Sequence, residues 1–368
     1  MPSSRPSILI LTNSPNMNVH AGQINGYELL VASGELKSVS HFSHCLTNPP
    51  RFSEEQLIEQ IAQLDFDILL VWTPKLFPSS EDNFQRILSA VGNRPIFYYD
   101  GDPWLPSYRH LHKPKIKRKS ASKQMSWWAS NSEAVFTVAS KEHFKIFRDL
   151  GARQVHFMPH TYCHFHCSEI ENIEPEEFFK WDVVMIGSNL ARIPSLTGVP
   201  GSFNRLRTAS LIRNMEDVDF KLYGTGWPRS WNVESVPFTK QALEFRKARI
   251  SVNWDHFENY SDYASDRLPI SLLAGRPHIT TKHPGMDWIP GEDIGLFEAD
   301  SPSDVVMRLE NLLNLGDKKN YELGLQGHRW VKNRFSHREA ARYIMSIITP
   351  NVSPLQIDPW DSLPSISF

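Results

Sequence analysis

An arginine stands where a polar loop runs into a short apolar helical turn, in Ser261-Asp-Tyr-Ala-Ser-Asp-Arg267-Leu-Pro-Ile-Ser-Leu-Leu-Ala-Gly275-Arg-Pro277. A helix N-terminus presents unpaired backbone N–H groups and the positive end of its dipole, and both favour anions. A guanidinium at the same point adds a planar fork that grips a phosphate through two parallel hydrogen bonds. This segment is therefore suited to holding a diphosphate, with Arg267 offsetting the charge that builds on it as a leaving group. The structural alternative is a helix packed on a sheet, with its arginine in a surface ion pair.

Other segments carry compatible chemistry. Ile186 is followed by Gly187-Ser188-Asn189, and Tyr223 by Gly224-Thr-Gly226-Trp227. Such small-residue turns let a phosphate or sugar approach the backbone, although each alone also reads as a plain tight turn. Val236-Pro237-Phe238 and Trp254-Asp255-His256 follow in the same half of the chain. Arg205, in Gly201-Ser-Phe-Asn204-Arg205, is a second cationic candidate or else a surface arginine. In the first half, a long polar loop from Thr12 to Tyr27 contains His20, a titratable acid/base candidate, and Gly22. Asp100-Gly-Asp102 precedes Pro103-Trp104, which makes Asp102 a candidate base at a strand end and Trp104 a candidate stacking surface.

One run is strongly basic. Arg109, Lys113, Lys115, Lys117, Arg118, Lys119 and Lys123 occur with no acid among them. A polyanionic acceptor such as DNA or an anionic polymer would be attracted there, and the alternative is a solvated loop. His160, Cys163, His164, His166 and Cys167 offer zinc-ligand types, but their spacing matches no common finger and no second cysteine pair exists. No metal site is expected.

These residues need a scaffold. Apolar runs rich in β-branched and aromatic residues occur at 8–11, 67–72, 95–99, 134–138 and 155–158, and again at 182–186, 219–223, 250–254, 277–281 and 295–297. Runs without polar alternation suit parallel strands buried on both faces. Capped helical segments lie between them: Ser53-Glu-Glu-Gln56 has the pattern of a capping box, and Ser301-Pro302 places proline at the first helical position. The alternation predicts an α/β chain of two doubly wound domains. The predicted domains are 1–168 and 178–336, with a returning helix and an irregular tail over 337–368.

The formal net charge is −2, from 39 basic and 41 acidic residues, so no global charge draws the chain to nucleic acid or membrane. No apolar run is long enough to span a bilayer, and the start lacks a signal-peptide core. With an odd three cysteines there is no disulfide framework, and the expected location is cytoplasmic. A dehydrogenase or P-loop reading is disfavoured, because neither glycine fingerprint is present.

The succession Arg267, Ala274-Gly275-Arg276-Pro277, Gly285, Gly291-Glu292-Asp293 and Gly295-Leu296-Phe297 resembles the C-terminal half of GT-B glycosyltransferases, most nearly the CgeB-like group. Gly327-His-Arg-Trp-Val-Lys-Asn-Arg-Phe-Ser336-His-Arg338 looks like the terminal helical signature of that group, and the resemblance extends over 181–348. It implies a GT-B fold: two Rossmann-like domains facing a cleft, with a nucleotide-diphosphate sugar as co-substrate and no further cofactor. It also implies metal independence, because the Asp-x-Asp metal motif belongs to a different glycosyltransferase fold. By the same resemblance the loop holding Gly22 faces the donor phosphates, Phe238 lies in the loop that contacts the base, and the acceptor binds the first domain. Many retaining members carry a pair of glutamates ahead of the Gly-x-Pro; here those places fall at Asp262 and Ile270, one acidic and one apolar. That departure keeps a second class open, a GT-B-like protein that binds nucleotide or polymer without turnover.

Overall fold

Short apolar runs become buried parallel strands, and capped amphipathic segments become the helices between them. The computed structural model describes residues 5–12, 24–43, 53–73, 77–101, 115–176, 178–190, 201–332, 334–349, 360 and 363–368, with the side chains of 115–122 outside that description. The chain divides into two units, parting between Pro159 and His160 and again between Ser336 and His337. The first divide falls earlier than 168, where the sequence reading ended the first domain. The short helix that carries His164 to Glu171 therefore groups with the second unit.

The first unit begins with β1 (Ser7–Thr12), α1 (Ile24–Ala32), β2 (Ser38–Ser43), α2 (Glu54–Gln63), β3 (Ile68–Trp72) and α3 (Glu81–Val91). It continues with β4 (Ile96–Asp100), α4 (Lys115–Asn131), β5 (Ala134–Thr137), α5 (Glu142–Asp149) and β6 (Gln154–Phe157). The second unit holds α6 (His164–Glu171), β7 (Trp181–Ile186), α7 (Ser202–Arg213), β8 (Phe220–Tyr223), α8 (Gln241–Arg246) and β9 (Ala248–Val252). It ends with α9 (Arg267–Leu273), β10 (His278–Thr281), β11 (Leu296–Ala299), α10 (Pro302–Asn314) and α11 (Asp317–Lys332). The chain then returns to the first unit as α12 (His337–Ile348) and β12 (Ser365–Ser367).

The first sheet runs β12-β6-β5-β4-β3-β1-β2, parallel except where β12 pairs antiparallel with β6. The second is parallel throughout, in the order β11-β10-β9-β7-β8. Two strands depart from the sequence reading. β2 is an edge strand with every residue at least partly exposed, so Ser38-Val-Ser-His-Phe-Ser43 has no apolar run to announce it. β12 lies in the tail read as irregular; three exposed residues are enough to pair with an open sheet edge.

Both predicted caps are present. Ser53 Oγ accepts from Gln56 N at 3.1 Å while Gln56 Oε1 accepts from Ser53 N at 2.9 Å, and Ser301 Oγ accepts from Asp304 N at 3.1 Å. In the second unit, alternate residues of each strand face opposite cores. Val183, Ile250, Val252 and Ile279 pack with Leu309 of α10 and Ile212 of α7. On the other face Val184 and Ile186 pack with Phe245 of α8, Leu268 and Leu272 of α9, and Val331 of α11. Two covered faces leave the strand ends as the place where polar residues gather, and doubly wound sheets bind ligands outside their carboxyl ends.

Candidate functional site: the carboxyl ends of the second sheet

Two turns leave neighbouring strands and are stitched to each other. Gly187 N donates to Tyr223 O at 3.0 Å, Asn189 N donates to Thr225 O at 2.8 Å, and the Ser188 and Thr225 hydroxyls lie 3.1 Å apart. Gly224 makes the stitching feasible: its φ is +127°, and a Cβ there would stand 2.1 Å from the Gly187 carbonyl oxygen.

Arg205 braces these turns from below. It is only 3% exposed. Its Nη1 donates to Ser188 O at 2.9 Å, its Nε to Trp254 O at 2.5 Å and its Nη2 to Asn253 Oδ1 at 3.1 Å. The surface-arginine reading is therefore wrong: the guanidinium is buried on the carbonyls of Ser188 and Trp254 and the side chain of Asn253. Burial, followed by the nearby Arg267 charge, pulls its pKa down to about 10.

Asn253 leads to a buried pair. Its Nδ2 donates to Asp255 Oδ1 at 2.6 Å, and Asp255 N donates to Thr281 Oγ1 at 2.7 Å. His283 sets Nε2 3.0 Å from Asp255 Oδ2 and Nδ1 3.2 Å from the Tyr260 carbonyl oxygen. Burial alone would raise the Asp255 pKa, but the His283 contact outweighs it, with help from Ser265 and Arg205, and holds the carboxyl well below the usual range. Nothing in sequence joins Asp255 to a histidine 28 positions away, so the pair was not foreseen.

Above this network sit Arg267 and His256. The Arg267 side chain is 25% exposed and its Nη1 lies 2.5 Å from Asp266 Oδ1, while its Nε has no partner among the described residues. Burial works against its charge, but Asp266, Tyr263 and Asp255 more than offset this and raise its pKa. His256 is held neutral: burial, then the Arg205 and Arg267 charges, push it down to about 2. Its Nε2 is buried without a partner among the described residues. A neutral imidazole close to two cations, with a buried ring nitrogen, was not singled out for a role by the sequence reading.

Asp262 is held in the left-handed region with φ of 61°, a conformation that costs a non-glycine residue energy and recurs at functional sites. Its N–H donates to Pro284 O at 2.7 Å and its Oδ1 accepts from Trp288 Nε1 at 3.2 Å. Gly285 (φ +86°) must stay bare, since a Cβ there would lie 2.7 Å from Asp262 Oδ1.

The remaining candidates separate. Trp227, read as a donor contact, is 6% exposed, packs with Met185 and Leu222, and gives its indole N–H to Gly187 O at 2.9 Å; it supports the turn from beneath. Phe238 packs edge-on to His166 of α6, with ring centres 4.8 Å apart. His20, Gly22, Asp102 and Trp104 lie outside the described residues, while Lys115, Lys117 and Arg118 begin α4 rather than a loop. The His160–Cys167 cluster is dispersed: His160 packs on Tyr263, His164 Nδ1 lies 2.6 Å from Glu171 Oε1, and burial raises the Cys167 thiol pKa. Among the described residues, no group of three or more His, Cys, Asp or Glu side chains is placed to hold a metal ion. Among them, too, no helix is long and apolar enough to cross a membrane.

Two α/β units of this order, the second with its polar residues gathered at the carboxyl ends of a parallel sheet, define the GT-B glycosyltransferase fold. Residues 205–346 match the family model described as glycosyl transferase-like. No curated protein sequence matches the chain. Among solved structures, sucrose-phosphate synthase from Thermosynechococcus elongatus is similar, with a TM-score of 0.61 at 13% identity over 94% of this chain and 99% of that one. The phage T4 β-glucosyltransferase in complex with UDP-glucose aligns with a TM-score of 0.56 at 12% identity, over 93% and 99% of the two chains. Anabaena HepE in complex with UDP and glucose gives 0.53 at 12% identity, over 94% and 100%. At these identities the likeness is one of fold.

Proposed function

We propose that the chain is a glycosyltransferase that takes its sugar from a nucleoside diphosphate donor held at the carboxyl ends of β7, β8 and β9. The observation that carries this reading is the grouping of Arg267 and neutral His256 with Arg205, which holds the turn at Ser188. Arg267 pairs with the diphosphate and offsets the charge that develops on the departing nucleotide. His256 Nε2 accepts a hydrogen bond from a donor hydroxyl, and Asp262 accepts another. The fixed guanidinium supplies positive charge at the leaving group, so transfer does not require a divalent cation. The fold likeness to proteins crystallised with UDP and with UDP-glucose favours a uridine nucleotide.

The basic run 109–123 supports an anionic acceptor, and the likeness in fold to a DNA-modifying β-glucosyltransferase is in keeping with that. Lys115, Lys117 and Arg118 open α4 and are the residues to reverse in sign.

Calorimetry with a panel of nucleotide-sugars tests the donor assignment. Micromolar binding of one uridine diphosphate sugar, weakened about 10- to 100-fold in Arg267→Ala and unaffected by EDTA, is the expected result. Absence of binding by every member would overturn the donor assignment and favour a non-catalytic module, a reading that the burial of Ile270 at 2% exposure keeps in view.

A further inference from the structure

The second unit contains a cavity that the donor reading does not use. It has a volume of about 530 Å³ and lies at the carboxyl ends of β9, β10 and β11, beyond the Asp255–His283 pair. That size falls within the roughly 300–1,000 Å³ typical of small-molecule sites. Trp254, Thr281 and His283 are buried lining residues, whereas Asn259, Lys282 and Asp300 are exposed ones.

The lining selects a chemical class. Lys282 Nζ lies 3.4 Å from Asp300 Oδ1, so these charges largely cancel. Glu258 Oε2 accepts from both Asn204 Nδ2 at 3.0 Å and Trp254 Nε1 at 2.5 Å, which fixes the carboxylate in place. The charge left over is negative, which disfavours a phosphate or a polyanion. The lining includes the amides of Asn204 and Asn259, the ammonium of Lys282 and the carboxylates of Glu258 and Asp300, and a hydroxyl group needs both donor and acceptor partners. A nucleotide suits the cationic region around Arg267; a neutral polyol suits this one.

We propose that the cavity is a saccharide subsite, separate from the nucleotide site, that takes one uncharged sugar unit. Glu258 and Asn259 bond its hydroxyls and Lys282 closes the rim. The inference goes beyond the donor reading and does not depend on it.

Saturation-transfer NMR on the full chain, with free glucose, galactose or N-acetylglucosamine at millimolar concentration, tests the proposal. Saturation of the ring protons of at least one sugar is expected, undiminished when UDP is added. Asn259→Trp, a change at an exposed lining position, should weaken that signal at least tenfold, and Lys282→Ala should weaken it several-fold, with both variants keeping the wild-type melting temperature. Saturation of the UDP ribose protons in the same spectra reports the donor site by itself, so failure of one site is read apart from failure of the other. Absence of saturation for all three sugars overturns the proposal. So does displacement by UDP, which would place the sugar in the donor site, or binding that survives both variants.

Discussion

Two regions share the carboxyl edge of one sheet and differ in electrical character. Over β7 to β9 the open groups are a guanidinium, Arg267, and a histidine kept neutral, His256, above a buried second arginine. Over β9 to β11 the lining pairs Lys282 with Asp300 and leaves Glu258 over. Between them stands the Asp255–His283 pair, with side chains 2% and 0% exposed. One sheet edge thus carries two differently charged regions a few residues apart, with a buried pair standing between them.

Breaking the divide has the largest expected effect. Asp255→Ala leaves His283 buried without its carboxylate and removes the acceptor that orients Asn253, so a loss of about 3–5 kcal/mol in unfolding free energy is expected from urea titration. Next comes Arg267→Ala. Losing a charge-assisted contact costs roughly 1.5–3 kcal/mol, so nucleotide-sugar affinity measured by calorimetry should fall about 10- to 100-fold, while Asn259→Ala leaves it unchanged.

Acid is expected to act through buried histidines. His256 has a folded pKa of about 2, below its unfolded value, so between roughly pH 6.5 and that point the unfolded chain binds a proton that the folded chain refuses. Stability is therefore expected to fall as the pH drops through this window. His156 and His278, lowered to about 4 by burial, act in the same direction. Each contributes at most about 1.4 kcal/mol per pH unit, and denaturant midpoints at pH 7.5, 6.0 and 5.0 would show the slope. The smallest effect belongs to the exposed Lys282–Asp300 pair. Its removal should change stability by less than about 1 kcal/mol in thermal melts, a ceiling set by the weakness of surface ion pairs.

Much of the scaffold was legible because its signals are local. Buried parallel strands require consecutive apolar residues, and caps require a hydroxyl at a fixed offset, so β7, β10 and the caps at Ser53 and Ser301 could be read directly. The turns at Gly187 and Gly224 were legible for the same reason. The burial of Arg205 was not legible because two of its partners are the carbonyls of Ser188 and Trp254, and backbone groups leave no trace in residue type. Asp255 with His283, and His256 with its suppressed charge, depend on contacts between strand ends that only the sheet order brings together. Edge strands β2 and β12 escaped because one open side frees them from the apolar composition that marks an interior strand.

The return of the chain to the first unit has a consequence for biosynthesis. All strands and helices of the second unit have been translated by Ser336, whereas the first unit still awaits α12, which packs on α1, and β12, which closes the β6 edge. A nascent chain is thus expected to finish its middle before its beginning, with the open edge of the first sheet exposed until β12 has been made.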